Sequence, residues 1–208
     1  REYARKNKLI GNHNNKEYLN KNAHFGLPEY ITVDTSNYLM RKFIDRWSLH
    51  SIPLFYDVKD KRAVFPFLSR GRIVDAIGRS LTNKIPKWLR YNNEVEHYTF
   101  CSGEDNGVAI VVEDVISAIT IGLQFPSVSG VAILGTTLRP SHMSYLSYYH
   151  KIIMALDRDA LSKTIAYTKE LKLYCDDTEV VAYPLKQDVK EKNQDDIAGL
   201  RSLCYESA

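Results

Sequence analysis

The 208-residue chain contains no apolar run long enough to span a bilayer, and its N-terminus is polar and basic with no apolar segment behind it. Both observations argue against a membrane anchor and a signal peptide. Cysteine is scarce. Cys101, Cys175 and Cys204 are scattered, with no Cys-x-x-Cys pair and no regular histidine spacing, so the chain offers no zinc site and suits a reducing cytosol. Internal repeats and low-complexity segments are also missing. Hydrophobic residues make up an ordinary 44%, which gives no sign of general disorder and enough apolar surface for one domain or two small ones. The first residue is Arg1 rather than Met, as expected of a piece of a longer protein.

The small net charge of +3 hides an asymmetry. Residues 1–100 carry 18 Lys and Arg against 10 Asp and Glu, whereas residues 101–208 carry 10 against 15. A basic half joined to an acidic half suggests a polyanion held by one and metal ions held by the other. Ordinary variation of charge along a chain is the competing reading.

Patterning divides the chain further. Residues 1–27 are Asn-rich and polar and read as a loop or short helix of mobile character. Ser36 looks like an N-cap for a helix through about Ser48, with Leu39, Phe43 and Trp47 on its core face. From Ile52 to Leu89 short β-like runs alternate with polar turns, giving a small, basic, mainly antiparallel sheet. Pro66 within it should sit at an edge or where no N–H donor is needed. Beyond about residue 107 the pattern becomes strand 108–112, helix 114–124, strand 131–134, helix 141–149, strand 151–156, helix 159–172 and strand 179–183. Strands alternating with helices predict a mostly parallel sheet. The expected fold class is thus α+β. A basic sheet-plus-helix subdomain over 28–106 precedes an α/β domain over 107–190, and a C-terminal helix or linker covers 191–208.

Two stretches carry the strongest chemical signal. Val108-Ala-Ile-Val-Val-Glu113 and Lys151-Ile-Ile-Met-Ala-Leu-Asp157 are apolar runs that stop abruptly on carboxylates and then turn helical. Such runs read as buried parallel strands, which places Glu113, Asp157 and Asp159 at strand carboxyl ends, where open α/β sheets bind ligands. Carboxylates gathered there repel one another, and Mg²⁺ or Mn²⁺ is the obvious partner. Such a centre can activate a 3′-hydroxyl and stabilise a phosphoryl transition state. Helix capping competes with this reading, because Asp114 or Asp159 could each serve only as an N-cap. Gly135-Thr-Thr137 after the third strand fits close backbone approach to a ligand, or simply a tight βα turn. In the basic half, Arg70, Arg72, Arg79, Lys84, Lys87 and Arg90 are interleaved with Trp88 and Tyr91. They fit phosphate contacts with base stacking, or a solvated strand face with Trp88 in the core.

The stretch Gly71-Arg-Ile-Val-Asp-Ala-Ile-Gly-Arg-Ser-Leu81 followed by Ile85-Pro-Lys-Trp-Leu89 resembles a signature of bacterial-type DNA primases. The acidic half resembles the Toprim fold shared by those primases, topoisomerases and some nucleases. Its apolar run ends in Glu113, a short strand ends in Leu134-Gly-Thr136, and Asp157-Arg-Asp159 supplies the Asp-x-Asp motif. The resemblance covers roughly residues 35–195 and is closest in wording to phage replication primases. It implies Glu113 as the acid that helps initiate phosphoryl transfer and Asp157 and Asp159 as metal ligands. Arg79 and Lys87 then hold nucleotide phosphates or the template–primer duplex. Two departures stand out: the family's Glu-Gly-x-x-Asp becomes Glu113, Asp114 and Ser117, and its late acidic motif is matched only by Asp188, without a proline. Asp114 and Asp188 enter as further candidate ligands. The resemblance implies RNA-primer synthesis from ribonucleoside triphosphates on a single-stranded DNA template, with two divalent ions bridged by Glu113, Asp157 and Asp159. It further implies a replicative helicase as partner, no membrane, and the cytoplasm of a bacterium or a phage-infected cell. The family's zinc ribbon would lie upstream of Arg1 or be missing. A Toprim nuclease or topoisomerase-like enzyme, and a non-catalytic nucleic-acid-binding replication protein, are the alternatives.

Overall fold

The computed structural model describes residues 27–69, 72–92, 100–104 and 106–205, which form two compact units divided near residue 98. All but the last residue of the polar segment 1–27 lies outside them.

The first unit is an antiparallel sheet in the order β1 (Ile31–Thr32), β2 (Phe55–Asp57), β3 (Arg62–Ser69), β4 (Arg72–Ser80) and β5 (Trp88–Arg90). Helix α1 (Tyr38–Trp47) precedes β2. Its cap is Asn37 rather than Ser36, because the Asn37 side chain accepts the Leu39 N–H while the Ser36 N–H is taken by Asp34. The buried face of α1 also turns slightly from expectation. Met40 and Trp47 are fully enclosed, and Leu39 and Phe43 only half. Pro66 lies on the central strand, yet the register of β2 ends at Val64, so by Pro66 no β2 residue requires its missing N–H.

This small sheet buries more than apolar residues. Phe55, Val64, Ile73 and Ala76 form its core, but Asp57, Arg62 and Asp75 are also inaccessible. Each is held: the Tyr91 hydroxyl donates to Asp57 at 2.6 Å, the Arg62 guanidinium donates to the Pro86 carbonyl at 2.8 Å, and Asp75 faces Arg90. Burial and the Asp57 carboxylate push the Tyr91 phenol upward, so it stays a donor at ordinary pH. Gly78 is required for this packing, because a Cβ there would lie 2.7 Å from the Tyr91 hydroxyl oxygen.

The second unit is a five-stranded sheet in the order β10 (Glu179–Ala182), β9 (Lys151–Met154), β7 (Val108–Val112), β8 (Ser129–Ala132) and β6 (Phe100–Ser102). Every pair is parallel except β6 with β8. The expected mostly parallel sheet is therefore present. Its antiparallel edge strand β6 comes from residues assigned by sequence to the basic subdomain, since three residues give too little periodicity to read. Helices α2 (Val115–Gln124), α3 (Pro140–Leu146) and α4 (Leu161–Tyr174) connect the parallel strands. All five residues of β7 are buried, because the central strand is flanked on both edges and covered on both faces. Helix α5 (Gln194–Tyr205) continues the unit beyond the expected limit of 190. It is pinned by Arg201 to the Gln124 carbonyl and by the Tyr205 hydroxyl to the Pro126 carbonyl. All three cysteines are free thiols, and no helix among the described residues is long and apolar enough to cross a membrane.

Candidate active site

The position of β7 creates the site. From β7 the chain runs through α2 to β8 on one side, then through α3 to β9 on the other. The crevice at such a reversal opens beyond the strands' carboxyl ends. Glu113 follows β7 directly, and Asp157 lies three residues past β9. The pairing with β7 carries on past the ends of β8 and β9, with the Ile133 N–H bonded to the Val112 carbonyl and the Ala155 N–H to the Val111 carbonyl. The Asp157 N–H then donates to Glu113 Oε1 at 3.3 Å, joining two residues 44 apart in sequence.

The electrostatics there are unfavourable without a cation. Burial pushes the Glu113 carboxyl up to about 7, and the neighbouring charges of Asp157, Asp159 and Asp114 push in the same direction. The Asp157 N–H opposes them. A divalent ion would reverse that balance by neutralising the cluster, so this donor set fits a hard cation. Among the described residues, however, no three acidic, histidine or cysteine side chains converge closely enough to enclose an ion as they stand. Mg²⁺ typically keeps several waters and is held by one or two carboxylates plus substrate phosphates.

Capping accounts for one of the aspartates. Asp114 caps α2, its Oδ1 accepting the N–H groups of Ile116 and Ser117 at 2.9 and 3.0 Å. Asp157 heads the 3₁₀ turn Arg158–Ala160 and makes no side-chain capping bond, and α4 starts from Ala160, which has none to offer. Asp159 projects from the turn and is exposed.

Asp114 and Asp188 are brought together by Lys190, a residue outside the candidates named from sequence. The Lys190 ammonium is 2.9 Å from Asp114 Oδ2 and is also hydrogen-bonded to Asp188 Oδ2. Ser117, at the position where the resemblance leads one to expect an acid, donates its hydroxyl to Asp188 Oδ1 at 3.0 Å. The five candidate ligands thus fall into two sets: Glu113 with Asp157 and Asp159 at the strand ends, and Asp114 and Asp188 around Lys190. The only sequence trace of the second set is a lysine two residues after an acid, and 76 residues separate that lysine from Asp114.

Two neighbouring features shape the crevice. Gly135 has φ +131°, and a Cβ there would meet nothing within 4 Å, so the Gly-Thr loop presents bare backbone to open space. The loop is tied to α4 by Lys163 on Thr136 Oγ1 and by the Tyr167 hydroxyl on the Thr136 carbonyl. Beside Asp157, a cleft of about 410 Å³ has apolar walls from Leu156, Leu161 and Leu185 and a basic rim from Arg158 and Lys186.

The basic candidates lie in the other unit and differ among themselves. The Arg79 guanidinium stacks over the Trp88 ring at 5.1 Å, and Trp88 packs on Phe65, so this tryptophan is half-buried. Lys87 is exposed, and Lys84 is exposed but paired with Asp60. Arg90 is turned inward, its Nε 2.5 Å from the fully buried Asp75. Arg70 lies outside the described residues, and Arg72 is described only by its backbone.

Residues 110–195, which include the five candidate ligands Glu113, Asp114, Asp157, Asp159 and Asp188, match a family described as Toprim-like. The chain is also similar to the solved structure of a DnaG primase catalytic domain bound to single-stranded DNA. The TM-score is 0.58 at 20% identity, over 81% of this chain and 59% of that one. The zinc-binding and RNA-polymerase domains of the Aquifex aeolicus primase match with TM-score 0.57 at 20% identity, over 83% and 50%. The E. coli primase catalytic core matches with 0.56 at 19%, over 80% and 61%. The chain therefore spans about half to three-fifths of these structures. No curated protein matches it significantly. Taken with the site geometry, these likenesses identify the chain as having the fold of the bacterial-type DNA primase catalytic core, with a Toprim-like domain as its second half.

Proposed function

We propose that the chain is the catalytic core of a DNA primase, making short RNA primers on single-stranded DNA by divalent-metal-dependent nucleotidyl transfer. The observation that carries this reading is the meeting of Glu113 and Asp157 at the sheet's switch point, inside a Toprim-like region of a primase-type fold. Asp157 and Asp159, with Glu113 beside them, would hold Mg²⁺ or Mn²⁺. When bound, the ion supplies charge neutralisation and activation of the primer 3′-hydroxyl. Glu113 orients the Asp157 turn through its Oε1 and adds negative charge to the ligand set. The bare backbone at Gly135 leaves room for a phosphate chain to approach closely. In the basic unit, Lys87 would contact phosphates, and the Arg79–Trp88 stack would present a cationic face to template or nucleotide. Ribonucleoside triphosphates, an RNA primer and a replicative helicase are the partners this reading entails, in the cytoplasm of a bacterium or a phage-infected cell.

The test is primer synthesis on single-stranded DNA with ribonucleoside triphosphates and Mg²⁺ or Mn²⁺. Oligoribonucleotide products that disappear with chelator and in Glu113→Gln, with circular dichroism unchanged, support the reading. Cleavage of DNA in place of synthesis would replace it with a metal-dependent nuclease. DNA binding indifferent to chelator and to this substitution, with no product, would leave a non-catalytic binding protein.

A further inference from the structure

Asp114 and Asp188, the two further candidate ligands, lie together around Lys190, and the local geometry argues against an ion between them. Every carboxylate oxygen of the pair already has a partner. Asp114 Oδ1 accepts two backbone N–H groups and its Oδ2 pairs with Lys190, while Asp188 Oδ1 accepts the Ser117 hydroxyl and its Oδ2 pairs with Lys190. The Lys190 side chain is only 11% exposed, against 17% for Asp114 and 22% for Asp188. The lysine is held there by its backbone. It lies in the 3₁₀ turn Val189–Glu191, anchored by buried Val189 and by the bond from the Glu191 N–H to the Asp188 carbonyl. A divalent ion entering between these acids would have either to expel the ammonium or to sit beside its positive charge in a nearly closed space.

Resting on the metal-dependent reading above, we propose that Lys190 is a built-in counter-ion. Its ammonium occupies the place between Asp114 and Asp188 that a divalent ion would take, so the centre binds one ion, at Glu113, Asp157 and Asp159, instead of two. Ser117 belongs to the same device. A hydroxyl donor suits a carboxylate already neutralised by lysine, whereas a further acid there would overload the single positive charge. Lys190 is then a positioning residue that fixes α2, and with it the Glu113 end of β7, without help from a metal.

Counting bound Mn²⁺ tests this on the full chain, by electron paramagnetic resonance of free against bound ion at saturation. The wild-type chain should bind one Mn²⁺, and that site should be lost in Asp157→Asn. Lys190→Met should raise the count to two, and Asp188→Asn added to Lys190→Met should return it to one. A wild-type count of two, or no gain in Lys190→Met, would overturn the counter-ion proposal while leaving the metal-dependent reading intact. A wild-type count of zero would overturn both. If Lys190→Met does not fold in metal-free buffer, excess Mn²⁺ should restore its circular dichroism spectrum, and failure to do so also overturns the proposal.

Discussion

Asp75 in the basic unit and Glu113 in the acidic unit are both acids whose burial raises the carboxyl pKa, but they face opposite surroundings. Asp75 is opposed by the Arg90 guanidinium and by the N–H groups of Ala76 and Asn92, all supplied by its own unit. Glu113 is opposed by Asp157, Asp159 and Asp114, and the Asp157 backbone N–H works against them. The Asp75 network is complete without a ligand and so serves the fold. The Glu113 cluster is electrostatically incomplete, and such incompleteness at a strand end is where an external cation and chemistry belong.

The largest effect should come from removing an acid of the incomplete cluster. Asp157→Ala should reduce primer synthesis by about 10²–10³-fold or more, the scale on which single transition-state-stabilising groups act, while thermal unfolding stays near that of the parent chain. A similar loss accompanied by unfolding would place Asp157 with Asp75 as a structural acid.

Breaking the complete network should do the reverse. Arg90→Met strands a buried carboxylate and should cost about 3–5 kcal/mol of stability in urea unfolding. Asp75→Asn on top of it should recover much of that loss. An Arg90→Met chain of unchanged stability that binds single-stranded DNA poorly would instead return Arg90 to the nucleic-acid contacts.

A pH series separates the two acids less drastically. The Glu113 carboxyl is raised from 4.5 to about 7 in the folded chain, so folding favours its protonated form. The resulting stabilisation is present below about pH 4.5 and is lost as pH climbs towards 7. Metal-free chain should therefore lose stability across that window, Glu113→Gln should flatten the loss, and saturating Mg²⁺ should offset it. A pH profile identical with and without Glu113 would count against the crowding of charges described above.

The smallest change is expected at Lys87, an exposed cation in the same block as inward-facing Arg90. Lys87→Ala should leave stability within about 0.5 kcal/mol. It should weaken single-stranded DNA binding and lower the slope of log affinity against log salt by about 0.7. An unchanged slope would remove Lys87 from the phosphate contacts.

Much of this was legible in the sequence, and the limits of legibility have physical causes. The buried runs at Val108–Val112 and Lys151–Met154 were readable because a strand covered on both faces must be apolar throughout, so the carboxylate ending it stands out. By sequence Asp114 fits both a cap and a ligand, and the bonds to the Ile116 and Ser117 N–H groups show that it caps. Arg90 read as one more cation in a basic block. Its inward turn depends on Asp75, which the β4–β5 pairing brings alongside from 15 residues away.

Sequence by itself determined the local order of this protein: the α+β class, the parallel and antiparallel halves, and the acids that end the strands. Periodicity and abrupt changes of polarity record what each segment must bury. Tertiary structure alone decided which charges are spent and which remain. Lys190 closes on Asp114 across 76 residues, Asp75 is answered by Arg90, and Glu113 is left facing other acids. Those outcomes depend on distances between segments, and no pattern within a single segment encodes them.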